Sequence, residues 1–310
     1  MVERDAAGSF PVREDEAVEE AISSVSVACL RDGAAEQRSD AVAREEPLEI
    51  RVGGAGLAVV MRTPGHDEDL ALGFLVTEGV IASFSEVESV RHCSEVPDGE
   101  AVGNVIRAVL GPGVAVDLEA LRRNFYATSS CGICGKASIE RALNVSPPLS
   151  DASRFDPVAL WAWTEQLAAA QPAFARTGGL HAAGLFSPGG TLLVVREDVG
   201  RHNAVDKVIG WALRAGRVPL TGHALLVSGR CSFEVVQKAL TARIPLVAAV
   251  SAPTSLAVEF AEAADMTLVG FLRGRGFNVY SGRSRLPEAG AATETPRGSR
   301  EPASARTRPR

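Results

Sequence analysis

From residue 180 onward the apolar positions keep changing period. LHAAGLF (residues 180–186) and TLLVVRE (191–197) are short apolar runs joined by the turn SPGG, which predicts a pair of strands. NAVDKVIGWALRAG (203–216) then carries helical spacing. The exchange repeats with ALLVSG (224–229) as strand, SFEVVQKALTARI (232–244) as helix, PLVAAVS (245–251) as strand and TSLAVEFAEAAD (254–265) as helix. MTLVGFL (266–272) and FNVYS (277–281) close the series as strands. This alternation predicts a layered α/β sheet. Ligands of such sheets gather at strand carboxyl ends, which singles out the loops EDVGRHN, SGRC and SAPT.

Upstream the pattern is more mixed. LEIRVGGAGLAVVMR (48–62) sets two apolar runs around a glycine turn and predicts a β-hairpin. DEDLALGFLVTEGV (67–80) reads as a helix with an acidic first turn and Gly79 placed to end it. SEVESVRHC (85–93) and GNVIRAVLG (103–111) suggest two strands, and DLEALRRNF (117–125) and KASIERALNV (136–145) two helices around a loop. SPPLSDASRFDP (146–157) is rich in proline and serine and predicts a domain boundary, and DPVALWAWTEQLAAAQ (156–171) reads as a helix. The expected organisation is a disordered leader over 1–45, a smaller α+β domain over 46–150, a larger α/β domain over 151–285 and a disordered tail over 286–310.

Composition narrows the function. A net charge of -6 and a pI near 5.5 argue against a general nucleic-acid binder. No run of 18 or more apolar residues occurs, so no membrane span is expected, and the acidic opening stretch does not read as a signal peptide. Five scattered cysteines, an odd number, suggest reduced thiols and hence a cytoplasmic protein. Only three of the 32 basic residues are lysines: Lys136, Lys207 and Lys238. In a chain that otherwise uses arginine, they mark sites where a compact ammonium is wanted.

Five stretches could carry chemistry. ATSSCGICGKAS (127–138) sets Cys131 and Cys134 in a glycine-flanked loop, with Lys136 and a helix start nearby to favour the thiolate. A zinc site would need two further ligands, and no second Cys-x-x-Cys exists. REDVGRHNAVDKVIG (196–210) crowds Arg196, Glu197, Asp198, Arg201, His202, Asn203, Asp206 and Lys207 at a strand-to-helix junction, which suits a polar ligand as well as a charged surface loop. SGRCSFEVVQK offers Arg230 to a phosphate or carboxylate, with Cys231 as a packed thiol. GFLRGRGFNVYS interleaves Arg273 and Arg275 with Gly274 and Gly276, which suits close approach to phosphate oxygens. His66 and Glu68, with the two loop cysteines, outline a zinc nucleobase deaminase, although Ser130 stands where proline is expected and the gap to Cys131 is long.

Taken together, SSCGICGKAS, TGGLHAAGLF, EDVGRHNAVDK, SGRCSFEVVQK, SAPTSLAVE and GFLRGRGFNVYS resemble the formate dehydrogenase accessory sulfurtransferase family, FdhD, over residues 48–281. The resemblance implies a cytidine-deaminase-like layered α/β domain without zinc, with a smaller N-terminal α+β domain carrying the cysteine loop. It implies a sulfurtransferase that receives a sulfane sulfur from a cysteine desulfurase as a persulfide on Cys131, with Cys134 assisting. The sulfur would pass to the molybdenum or tungsten of bis-molybdopterin guanine dinucleotide before its insertion into formate dehydrogenase. Phe271, Leu272, Arg273, Gly274, Arg275 and Gly276 would meet the guanine nucleotide end, and a homodimer is implied. Two other readings compete: a zinc-dependent hydrolase using His66, Glu68, Cys131 and Cys134, and a non-catalytic cofactor chaperone.

Overall fold

A computed structural model describes residues 14–94, 102–114, 116 and 135–287, without the side chains of 135–138 and 141. α1 (Glu14–Glu20) leads into two ten-residue strands, β1 (Ile22–Arg31) and β2 (Ala34–Ala43). They pair antiparallel from Ile22↔Ala43 to Arg31↔Ala34. This corrects the expectation of a disordered leader over 1–45, from residue 14 onward. The loop is Asp32-Gly33 with φ of 50° and 80°, the doubly left-handed turn whose twist matches the strands it joins. Alanine, serine and charge hide the hairpin from a hydrophobicity reading because the ribbon buries so little: Ile22 is its only buried residue.

β3 (Glu46–Val52) and β4 (Ala55–Arg62) form the expected hairpin, closed by Gly53 and Gly54 at φ 58° and 91°. α2 (Asp67–Thr77) follows, and β5 (Val87–His92) and β6 (Val105–Leu110) complete a four-stranded sheet in the order β4-β3-β6-β5. α3 (Gly135–Val145) comes next; the helix expected over 117–125 lies outside the described residues.

The second half begins with α4 (Pro157–Ala169), whose Asp156 cap accepts from Val158 N, and the short α5 (Pro172–Thr177). β7 (His181–Phe186) and β8 (Leu192–Asp198) form a hairpin. α6 (Arg201–Arg214), β9 (Ala224–Val227), α7 (Phe233–Thr241), β10 (Leu246–Ala249), α8 (Ser255–Ala263), β11 (Thr267–Arg273) and β12 (Gly276–Ser281) then alternate as the periodicity predicts. The sheet order is β12-β11-β10-β9-β7-β8, with β9, β10 and β11 parallel.

Both faces of this six-stranded sheet are covered, which is why ALLV and LVAA are continuously apolar. Ala224 and Leu226 turn toward α4, where Trp163 stacks on Phe186 with ring centroids 4.4 Å apart. Leu225 and Val227 turn the other way, into a core shared with α2, α6, α7 and α8. The small sheet adds Leu48, Ile50, Ile106 and Ala108 to that same core, so one apolar cluster ties the two sheets together. Its centre is the crossing of α2 and α6. A Cβ on Gly73 would lie 1.8 Å from Asp206 O, and one on Gly210 would lie 1.8 Å from Asp69 O, so main chain meets main chain there. Among the described residues no helix is long and apolar enough to cross a membrane.

Candidate functional site

The register sets β8, β9, β10 and β11 to end on one edge of the large sheet, where β7 begins. Four connections leave that edge, and they contain the loops singled out in the sequence. Cys231 fastens two of them. It pairs with Pro253 in an isolated parallel bridge, its N–H donates to Ala252 O, and its carbonyl accepts from Thr254 N. Its thiol is fully buried and pushed up to about 12 by that burial, so it is the packed thiol the sequence suggests and no nucleophile.

Arg201 and His202 open α6 after Gly200, a cap with no side chain to satisfy the first-turn N–H groups. Arg201 Nε is buried and has no hydrogen-bond partner. His202 Nε2 lies 3.1 Å from Ser232 Oγ, at the start of α7, and 3.7 Å from Glu234. Burial, then the charge of Arg201, hold His202 down to about 4, so the ring is neutral at pH 7. His181, the first residue of β7, is lowered for the same reasons, with Arg230 contributing. Arg230 is exposed beside it.

At the far end of the same edge, Phe271 combines two oddities: it is 40% exposed and its φ is 54°, a left-handed backbone that a bulky residue rarely adopts. Phe271 N donates to Ser251 O, which holds the strained residue beside the β10–α8 loop. The Arg273 guanidinium sits 5.8 Å from the Phe271 ring centre, and that of Arg275 5.9 Å from Trp161. Leu272 points into the core and is fully buried, so of the six residues 271–276 it can offer a ligand only its backbone. Gly274 takes φ 51° at the turn, and Gly276 is exposed. The edge thus presents four arginines and two neutral imidazoles, a surface suited to phosphate oxygens.

Other singled-out residues prove to be structural. Asp198 is fully buried and receives Lys207 Nζ at 2.8 Å, Asn203 Nδ2 at 2.9 Å, and the N–H groups of Thr63 and Gly200. Lys238 is buried against Asp206 at 2.9 Å and Thr77 at 2.9 Å, and the neighbouring carboxylates raise its ammonium above the usual lysine range. Lys207 thus ties β8 to the turn after β4, and Lys238 ties α7 to α2 and α6, so both ammonium groups are spent on structural contacts. Arg196 pairs with Asp69 at 3.3 Å. Glu68 meets Arg214 at 3.3 Å, and His66 lies in a separate cleft under α1. Among the described residues no cluster of His, Cys, Asp or Glu is arranged to hold a metal ion. Cys131, Cys134 and the Lys136 side chain lie outside the described residues. Sequence reasoning missed the Ser232–His202 contact and the strain at Phe271, because both depend on register between distant segments.

Fold and edge define a layered α/β protein with an arginine-bearing row of strand ends as its candidate ligand surface. The profile described as the FdhD/NarQ family matches residues 43–287, and the chain belongs to that family. It is 50% identical over 273 residues to a protein of Streptomyces avermitilis named sulfur carrier protein FdhD, covering 86% of this chain and 95% of that one. A Mycobacterium tuberculosis protein of the same name is 52% identical over 255 residues, 80% of this chain and 92% of its own. A crystal structure described as a formate dehydrogenase accessory protein from Desulfotalea psychrophila superposes with a TM-score of 0.68 at 24% identity, over 86% of this chain and all of that one. At that identity the likeness speaks for the fold alone.

Proposed function

We propose that this chain is a sulfur carrier and sulfurtransferase that serves a formate dehydrogenase. The observation that carries the reading is identity at or above one half, over at least four fifths of the chain, with relatives named sulfur carrier protein FdhD. In the proposed cycle the Cys131 thiolate attacks the outer sulfur of a persulfide on a cysteine desulfurase. The sulfur–sulfur bond to the desulfurase breaks, the desulfurase cysteine leaves as a thiolate, and Cys131 keeps the sulfane sulfur as its own persulfide. The Cys134 thiolate then attacks Cys131 Sγ, releases hydrosulfide for the metal, and leaves a Cys131–Cys134 disulfide that a dithiol reductant reopens.

The acceptor in this reading is the molybdenum or tungsten centre of bis-molybdopterin guanine dinucleotide, bound as a guest. The phosphates fit Arg201, Arg230, Arg273 and Arg275, all on one edge, and the exposed Phe271 ring offers a face for the guanine base to stack on. In this reading the larger domain has the layering of a cytidine deaminase, and the smaller one carries the cysteine loop; helices α6 and α7 starting side by side at strand ends support the first part. The protein works in the cytoplasm, where its thiols stay reduced, and acts as a homodimer.

The test is intact-mass analysis after incubation with a cysteine desulfurase and free cysteine. The expected result is a gain of one sulfur that disappears on reduction and is absent in Cys131→Ala, whose formate dehydrogenase client stays inactive. A Cys131→Ala chain that still supports full dehydrogenase activity overturns the proposal.

A further inference from the structure

Apart from the strand-end loops, a second concavity lies beneath α1. Residues of α1, the 64–66 turn, Ala170, Pro172, Ala173 and β8 line a half-open cleft of about 50 Å³. Two of its charged walls are already satisfied. Lys207 Nζ donates to Thr63 O at 2.8 Å and Glu197 O at 3.2 Å and pairs with Asp198. The Glu197 carboxylate accepts from the N–H groups of Ala173 and Phe174 at 3.0 and 2.7 Å. What stays available is one edge of Arg196 and the ring of His66.

Arg196 spends Nε and Nη2 on Asp69 and turns Nη1 to Val195 O and to Glu14 Oε1 at 3.2 Å. The His66 side chain is only 10% exposed, yet neither ring nitrogen makes a hydrogen bond. Nδ1 is buried without a hydrogen-bond partner, 3.9 Å from Asp69 Oδ2, and Nε2, the nitrogen on the Glu14 side, stops 3.7 Å short of Glu14 Oε2. Gly65 and His66 both take left-handed backbone, at φ 95° and 58°, and α2 begins there with no side-chain cap. Glu14, by contrast, is 71% exposed, on a helix whose described residues bury Ala17 alone.

The geometry points to a carboxylate-binding site beneath α1 that Glu14 occupies in cis and that a small free carboxylate takes when α1 lifts away. The occupant on hand is itself a carboxylate, held by one guanidinium nitrogen and left out of reach of an imidazole. A planar monoanion of that size can satisfy both. A phosphate dianion would bring a second charge up against Asp69 and Glu197, with no further free cation among the described residues that line the cleft. Among the described residues of α1 Ala17 alone is buried, so little apolar surface holds α1 down over the cleft. The site's apparent affinity is then divided by the fraction of molecules in which Glu14 has left.

The experiment uses the full chain, acetate as probe and inorganic phosphate at matched ionic strength as control, read by the ring nitrogen signals of His66, assigned with His66→Gln. Glu14→Gln, at an exposed position, keeps the helix and removes the internal carboxylate. Acetate is expected to move the His66 signals in Glu14→Gln at a concentration about tenfold lower than in the unaltered chain. In the unaltered chain it should also speed hydrogen exchange at the Ala17 amide. Equal midpoints in the two chains, an equal response to phosphate, or His66 signals that acetate never moves would each overturn the site.

Discussion

His66 and His202 are both kept neutral by burial and nearby cations, and that has a consequence for stability. Their folded values are lowered from the usual 6.5 to about 2 and about 4. Below pH 6.5 the unfolded chain takes up protons that the folded chain refuses, so this stability is present above pH 6.5 and is lost as pH falls toward the folded values. His66, the more buried, should contribute a slope of up to about 1.4 kcal/mol per pH unit, and His202, one third exposed, less. His92 works in the opposite sense, because its bond to Asp67 raises it. The readout is therefore a difference: urea unfolding of His66→Gln between pH 7 and pH 5 should be flatter with pH than that of the parent chain, whatever its absolute stability. Parallel pH profiles would refute the assignment. At this scale the sequence marked Arg201, His202, Arg230, Arg273 and Arg275 because their loops follow apolar runs. It could not separate them from Asp198, Lys207 and Lys238, equally polar and equally close to the loops, because sealing Lys238 takes Thr77, 161 residues away.

α2 and α6 meet through Gly73 and Gly210, and the two contacts are reciprocal: each glycine lies against the main chain of the other helix. A methyl group at either position cannot be absorbed by a side-chain rotation, since the neighbour is a carbonyl. Gly73→Ala should cost at least about 2 kcal/mol and lower Tm by several degrees. The crossing also aligns Asp206 with Thr77 at 2.8 Å and Arg214 with Asp69 at 2.7 Å, so loosening should disturb both buried pairs together. Thermal unfolding by circular dichroism measures this, and a Gly73→Ala chain as stable as the parent would mean the helices are free to move apart. The helices themselves were legible. The alternation after residue 180 predicts every strand and long helix there, since a sheet covered on both faces writes unbroken apolar runs. The crossing was not legible, because α2 reads as apolar on nearly every side: all its residues but Glu68 are buried. Nor was α5, a six-residue turn between two longer elements.

The β1–β2 ribbon raises a question for the whole molecule. A two-stranded ribbon is marginally stable alone in water, yet this one runs ten residue pairs out from a base held by Ile22, Ala173 and Leu180. One face carries Val25, Val27, Cys29 and Val42, with Val25 and Val42 each 37% exposed; Arg38, Asp40 and Glu36 lie on the same face. Apolar residues mixed with both signs of charge make a surface that can complement itself across a two-fold axis, as a homodimer requires. If the ribbon is the contact, Val25→Glu with Val42→Glu should turn a dimer into a monomer by light scattering and leave the thermal unfolding of the body unchanged, since neither side chain reaches the main core. A dimer that survives both substitutions would move the interface elsewhere, and a chain that is monomeric before any substitution would remove the ribbon's partner. The sequence could not have offered this test. Its signal was the Asp-Gly turn between two weakly apolar runs, and such runs become legible as strands only when something buries one of their faces.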